Sequence, residues 1–262
     1  MSGERSASLA GRAAVVAGSS SGIGRAAAVE LARRGASVLV TSRDPARAAA
    51  AADAIRAAGG RAVGMAVELT APGAAEALVE RAVSELGGLD VLVNNAGAGQ
   101  VARSETLAPD DFRRIVELDL VAVFACAAAA ARVMLPAGRG VIVNVSSLTG
   151  HVGLAGRAAY SAAKHGVEGL TKTLAAEWSP RGVRVVAVAP GYVGTELLEQ
   201  TMAAGGFTRE DVAGRTPLRR LAEPEEVARV IAFLASDEAS YVTGSSVLVD
   251  GGWVGDGGWM HP

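Results

Sequence analysis

The chain has 262 residues, half of them hydrophobic and only 4% aromatic, with a formal net charge of −2. That length suits one α/β domain with an aliphatic core, and the small net charge gives no electrostatic reason to expect nucleic acid or an anionic membrane as a partner. Cys126 is the single cysteine, which excludes an intrachain disulfide, and His151, His165 and His261 form no metal-binding spacing, so no metal is expected.

Residues 1–8 read as a flexible stretch, and "MSGERSASLAG" lacks the apolar segment of a secretory leader. "AAVVAG" from Ala13 is the first strand, followed by a glycine-rich turn and a helix over 23–34. "SVLVTS" precedes a helix over 45–58, and "AVGMAV" one over 73–86. "LDVLVNN" precedes a long alanine-rich helix over 109–134, and "GVIVNVSS" one over 157–179. "VRVVAVAPG" leads into an irregular insert over 192–222, a helix over 224–235 and a last strand, "SSVLVDGG". Gly35, Gly59–Gly60 and Gly87–Gly88 mark helix ends. The strands are nearly continuous in apolar residues, as strands buried on both faces are. The pattern predicts one domain over 1–262, a parallel seven-stranded sheet with helices on both faces. "AVFACAAAAARVML" is too short to span a bilayer, so a cytoplasmic protein is expected.

Ligands of such sheets bind beyond the carboxyl ends of the strands, and the chemistry-bearing residues cluster there. Gly18, Gly22 and Gly24 follow the first strand and open a helix, where backbone can approach a pyrophosphate and free N–H groups face it. The second strand ends in Ser42 and Arg43. A guanidinium there suits a 2′-phosphate, which favours NADP(H) over NAD(H). Asp44 precedes Pro45 and reads as a helix N-cap.

Tyr160 and Lys164 stand one helical turn apart on one face. An ammonium beside a phenol stabilises the phenolate, which makes such a tyrosine a usable general acid or base. Ser146 and Ser147 leave the fifth strand nearby. Asp119 has Ile115, Val116, Ala122 and Val123 on its helix face and no cation within a turn, an awkward place for a carboxylate.

Together "GSSSGIG" (18–24), "NNAG" (94–97), "VSS" (145–147), "YSAAK" (160–164), "PGYVGT" (190–195) and "VTGSSVLVDGG" (242–252) resemble the short-chain dehydrogenase/reductase family over nearly the whole chain. The pattern is similar to that of its 3-oxoacyl-carrier-protein reductases. The resemblance implies a Rossmann-like doubly wound sheet and a hydride transfer between nicotinamide and a carbonyl or secondary alcohol. By it, Tyr160 is the proton donor and acceptor, Lys164 holds the nicotinamide ribose, and Ser147 orients the substrate oxygen. Gly18, Ser20, Ser21, Gly22, Ile23 and Gly24 cradle the phosphates, Ser42 and Arg43 take the adenosine ribose, and Glu68 and Leu69 meet adenine. Asn94, Ala96 and Gly97 form the cofactor floor, and Pro190, Gly191, Val193 and Thr195 place the nicotinamide. Asp119 falls in "DLVAVF", where the family carries a catalytic Asn whose backbone kinks the helix and holds a relay water. A link from Asp119 to Lys164 through water is the expectation. Ala17 and Glu68 also depart from the family's usual Thr and Asp.

The substrate side is less legible. His151, Leu154, Tyr192 and the 196–221 segment are expected to line the pocket, with that segment as a mobile lid. Arg139, Arg157 and Arg181 are candidates for meeting the acids of a carrier protein, although scattered arginines are ordinarily solvated. The resemblance implies a dimer through the two alanine-rich helices and usually a tetramer. The tail "GGWVGDGGWMHP" is expected to pack on a neighbouring subunit or near the pocket. The alternative class is a non-catalytic dinucleotide sensor or scaffold on the same fold, and Asp119 is the one feature in its favour.

Overall fold

The computed structural model describes residues 9–99 and 101–256. Seven strands form one parallel sheet: β1 (Ala13–Ala17), β2 (Ser37–Ser42), β3 (Arg61–Ala66), β4 (Val91–Asn94), β5 (Gly140–Val145), β6 (Val183–Pro190) and β7 (Ser246–Val249). Their order across the sheet is β3-β2-β1-β4-β5-β6-β7. The chain winds outward from β1 to β3, returns to the other side of β1 at β4, and winds outward again. The crevice at this reversal, beyond the ends of β1 and β4, is where such sheets bind ligands.

Side-chain alternation sorts the apolar residues into two cores. The register aligns Leu39, Val15, Leu92, Ile142 and Val185 in one row across five strands. That row packs against α3 (Ala74–Leu86), the helix α5 (Ala122–Ala137) and α6 (Ala158–Trp178). The adjacent row of Val40, Val16, Val93, Val143 and Val186 faces the other way. It packs against α1 (Gly22–Arg33), α2 (Pro45–Ala57) and α9 (Pro224–Ala235). Because both faces are covered, the strands need no polar face, which is why their sequences read as unbroken apolar runs.

Three expectations are corrected. The helix over 109–134 is in fact α4 (Pro109–Val116), a π-helical turn over Glu117–Val121, and α5, which runs on to Ala137. The π turn spans Asp119, the position where the resemblance implies a departure from regular helix. The full 109–137 segment is, by length and composition, long and apolar enough to cross a membrane, because "ELDLV" joins the run judged too short. Half of its apolar window is buried inside this domain. The insert over 192–222 is not irregular: it holds α7 (Glu196–Gly205) and α8 (Arg209–Arg215). The Thr195 hydroxyl caps α7, and Thr208 and Asp211 form a reciprocal capping box on α8.

Helix α1 ends in a partly buried ion cluster, in which Glu30 is buried and Arg33 is exposed. Glu30 accepts bonds from Arg33 Nε at 2.7 Å and from Arg34 Nε at 2.7 Å. Arg33 and then Arg34 outweigh the burial of Glu30 and hold its carboxyl down at about 2, against an ordinary 4.5. A lowered folded-state value stabilises the fold above pH 4.5, and the contribution fades as pH falls toward 2. Glu30→Gln is therefore expected to lower unfolding free energy by about 1–3 kcal/mol at pH 7. Urea denaturation of both chains at pH 7, 5 and 3 checks it, with the gap narrowing as pH falls.

Candidate active site

A cleft of about 990 Å³ opens at the carboxyl ends of the strands. One end is the turn between β1 and α1. Gly18 sits at φ 71, and a Cβ on it would lie 2.7 Å from Ala96 Cα, so a side chain is excluded on both counts. The Ser19 hydroxyl donates to Val16 O at 2.7 Å and accepts from Thr41 N at 2.8 Å, while Gly18 N donates to Thr41 Oγ1 at 2.9 Å. These bonds pin the turn to β2. Ser20, Ser21, Gly22 and Ile23 then line the cleft at the start of α1. Gly24 does not line it. Its place is structural: a Cβ would overlap Gly18 O and Asn95 Nδ2, whose own bond to Gly18 O is 2.7 Å.

The next wall carries Ser42, Arg43, Glu68 and Leu69. Asp44 caps α2 as its sequence suggested, accepting from Ala46 N at 2.8 Å and Arg47 N at 3.3 Å. One carboxylate oxygen, Oδ1, is thus engaged with its own helix, and Asp44 also lines the cleft. Arg43 is exposed at this end, and Arg47 reaches Glu196 at 3.5 Å across the cleft mouth. Glu68 accepts from the Thr70 hydroxyl at 3.0 Å. A glycine turn with free helix N–H groups, a long cleft and cations at its far end fit a dinucleotide.

At the other end Ser147, Tyr160 and Lys164 line the cleft together. The Lys164 ammonium is buried, donates to Val145 O at 3.0 Å and lies 5.5 Å from the centre of the Tyr160 ring. Ser147 Oγ accepts from Thr149 N at 3.2 Å. Asp119 does not open onto the cleft but stands directly against Lys164, Oδ2 to Nζ at 3.5 Å, rather than only through water. Its Oδ1 accepts from Ala98 N at 2.9 Å, and Oδ2 has no hydrogen-bond partner among the described residues. Burial pushes the Asp119 carboxyl above its ordinary range, against the pull of Lys164 and the Ala98 N–H. Burial works to lower Lys164, but Asp119, with Tyr160 and Glu168, outweighs it and holds the ammonium protonated above its usual range. Gly97 packs closely here: a Cβ would lie 3.0 Å from Asp119 Oδ2, a tight contact.

Pro190, Gly191, Tyr192, Val193 and Thr195 line the third wall with Ala96 and Gly97. Two assignments change. Asn94 is buried in the sheet, donating to Asn144 Oδ1 at 3.0 Å and Val123 O at 3.3 Å, and the cleft is met instead by its neighbour Asn95. Strand alternation turns consecutive side chains to opposite faces, so only one asparagine of the pair can face the loop. His151 also leaves the pocket. Its Nε2 lies 3.3 Å from both Ser246 Oγ and Glu168 Oε1, and it is not a lining residue. Of the three surface arginines, Arg139 pairs with Asp90 at 3.1 Å and Arg181 is exposed on a turn, but Arg157 lines the cleft. Trp253 is buried against Tyr192, ring centres 6.3 Å apart, whereas 257–262 with the second tail tryptophan lie outside the described residues, as do 1–8.

A parallel sheet of this order, with a long cleft at its reversal, is the doubly wound, dinucleotide-binding class of fold. Residues 17–254 match the family model described as enoyl-(acyl carrier protein) reductase. The chain is 47% identical to cis-4-hydroxycyclohexanecarboxylate dehydrogenase of Sinomonas cyclohexanicum, over 94% of this chain and 97% of that one. It is 40% identical to the 3-oxoacyl-[acyl-carrier-protein] reductase of Vibrio cholerae, over 93% and 98%. A solved structure described as an NAD(P)-dependent gluconate 5-dehydrogenase from Beutenbergia cavernae, with NADP bound at low occupancy, superposes with a TM-score of 0.90 at 40% identity, covering 95% of this chain and 99% of that chain. The chain belongs to the short-chain dehydrogenase/reductase family.

Gly24→Ala is expected to weaken nicotinamide dinucleotide binding about tenfold and to cost about 1–3 kcal/mol of stability, because the Gly18 backbone must move. Fluorescence titration with NADPH and with NADH, and a thermal melt, check it.

Proposed function

We propose that this chain is an NADP(H)-dependent oxidoreductase that interconverts a secondary alcohol and its ketone, with Tyr160 as general acid and base. One observation carries the reading: Ser147, Tyr160 and the buried Lys164 ammonium line one end of a cleft whose other end is the Gly18 turn. In reduction, the Ser147 hydroxyl donates to the carbonyl oxygen and fixes its position. The Tyr160 phenol gives its proton to that oxygen as charge develops on it. Lys164, 5.5 Å over the ring, stabilises the phenolate left behind. Asp119 keeps Lys164 charged and fixed. The bound nicotinamide supplies or accepts the hydride, and the chain's part is orientation.

Support for NADP(H) comes from Arg43 and Arg47 at the adenosine end. The NADP in the Beutenbergia structure points the same way. The substrate class we infer is an alicyclic secondary alcohol, after the Sinomonas relative, with Leu154 and Leu197 offering the apolar wall for a ring. Self-assembly through the α4–α5 face belongs to this reading, since Phe112, Val121 and Phe124 are exposed there.

Assays of NADPH and NADH oxidation against a panel of ketones test the function. Tyr160→Phe is expected to lower kcat at least about 100-fold with NADPH affinity retained. Tight NADPH binding by the parent chain with no turnover on any ketone would favour the sensor instead. Asp119→Asn keeps the shape and removes the carboxylate, so the Lys164 charge is no longer offset. The pH at which alcohol oxidation switches on is expected to move lower, and superimposable pH–rate limbs would leave the carboxylate with no part in the chemistry.

A further inference from the structure

Three polar side chains that the chemistry above does not use meet beside the Ser147 turn, and none of them lines the cleft. They are His151 at the end of that turn, Glu168 on α6 and Ser246 at the start of β7. The Ser246 hydroxyl donates to Glu168 Oε1 at 3.0 Å, and His151 Nε2 lies 3.3 Å from both of those oxygens. The Ser246 proton points at Glu168, and a carboxylate only accepts, so Nε2 is the ring nitrogen that carries hydrogen and donates to the pair. Glu168 is buried, and a buried carboxylate is costly without donors. The hydroxyl and the imidazole supply them, and the carboxylate in turn holds both in place.

The turn that His151 closes is the one that carries Ser147. Gly150 N donates to Ser147 O at 2.8 Å, and His151 N and Val152 N donate to Leu148 O at 3.0 and 3.1 Å, so 147–152 form one hydrogen-bonded unit. Its near end is tied to the sheet by Ser146 N, which donates to Val188 O at 2.7 Å. Its middle lies directly on α6: a Cβ on Gly150 would come 3.0 Å from Lys164 O and 3.2 Å from Glu168 Cγ. Its far end is held by the His151 ring on Glu168 and Ser246. Tyr160, Lys164 and Glu168 share α6, so this hold references Ser147 to the helix that carries the other two groups of the site.

We propose that His151, Glu168 and Ser246 are positioning residues for Ser147. The clamp they form sets the tilt of the turn, and so the direction in which the Ser147 hydroxyl meets the substrate oxygen beside Tyr160. The proposal rests on the oxidoreductase reading and adds how one of its groups is aimed. Such a device has a purpose here because β5 ends at Val145, two residues short of Ser147, so the strand does not itself fix the hydroxyl. Ser147 Oγ accepts from Thr149 N within the same turn, which leaves its own proton for the substrate. Where that proton points therefore follows the turn as a whole, and a displacement of about 1 Å in a reacting group costs on the order of 100-fold in rate.

The test is made at His151, because Glu168 also bears on the charge of Lys164. The full chain is assayed with the ketone of the panel that it reduces fastest, using NADPH or NADH, whichever supports turnover. His151→Ala is expected to lower kcat about 10- to 100-fold, with KM, cofactor affinity and melting temperature near those of the parent. His151→Gln sets an amide N–H near the place of Nε2 and is expected to recover most of the loss. In a Ser147→Ala background, where no hydroxyl is left to aim, His151→Ala is expected to cost less than about twofold further. A parent-like kcat in His151→Ala, no recovery in His151→Gln, or losses that multiply in the double variant overturns the proposal. Hydrogen exchange over 147–152 separates the clamp from the reading it rests on. Exchange that rises about tenfold in His151→Ala and falls back in His151→Gln, with no ketone reduced by the parent, overturns the oxidoreductase reading and upholds the clamp. Equal exchange in all three chains overturns the clamp whatever the turnover.

Discussion

A buried ammonium is the constraint to which the rest of the molecule answers. Lys164 is 3% exposed, and a charge so far from water has to be compensated by neighbours held in place. Three stretches of chain meet to do this: Asp119 from the π turn, the Val145 carbonyl at the end of β5, and the Tyr160 ring one turn back on α6. Asp119 is itself fully buried and lies 3.5 Å from the ammonium, so the two groups share one site closed to water. The π turn then has a physical reason. It presents a carboxylate to Lys164 from a buried face of the helix, and the Ala98 N–H takes up the oxygen that Lys164 does not face. Gly97 lies close to the same pair, since a Cβ there would come 3.0 Å from Oδ2.

The second constraint is close approach of backbone to ligand. The turn after β1 is narrowed by Gly18 against Ala96 and by Gly24 against Asn95. Its bonds go to β2 on one side and the loop after β4 on the other, which are the two strands flanking β1. The reversal of strand order therefore does more than open a crevice. It puts hydrogen-bonding neighbours on both flanks of the turn, so the cradle is rigid before anything enters it. The insert closes the third side, where Thr195 caps α7 and lies against Gly22.

Most of this architecture was legible in the sequence because burial on both faces leaves a strong mark. The runs from "AAVVAG" to "SSVLVDGG" are apolar throughout, and their strands lie where those runs do. The glycine turn and the Tyr160–Lys164 spacing were legible because each is local. What escaped depends on contacts distant in sequence. Asp119 looked unpartnered within its helix because its cation comes from α6, on another element. His151 follows the Ser147 turn directly, yet its partners Glu168 and Ser246 lie on α6 and β7 and draw it out of the pocket. Arg157 looked like one more surface arginine, since nothing in "GRAAY" reveals which side of the helix start opens onto the cleft. The helices of the insert did leave a signal, Thr208 three residues before Asp211, but glycines around it read more loudly as loop.

Asn94, displaced from the cofactor floor, has a different consequence. It bonds to Asn144, and Asn144 Nδ2 donates to Thr171 Oγ1 at 3.0 Å, so a buried polar ladder runs from β4 through β5 into α6. Thr171 lies seven residues, two turns, beyond Lys164 and so on the same stripe of the helix. Helix α6 begins "AAYSAAKHG", with small side chains that offer little resistance to sliding or rolling on the sheet. Directional bonds do resist both. The ladder works as a dowel through the sheet: it indexes the helix in depth and in rotation, and the aim of Tyr160 and Lys164 inherits its accuracy from an amide pair well below the site.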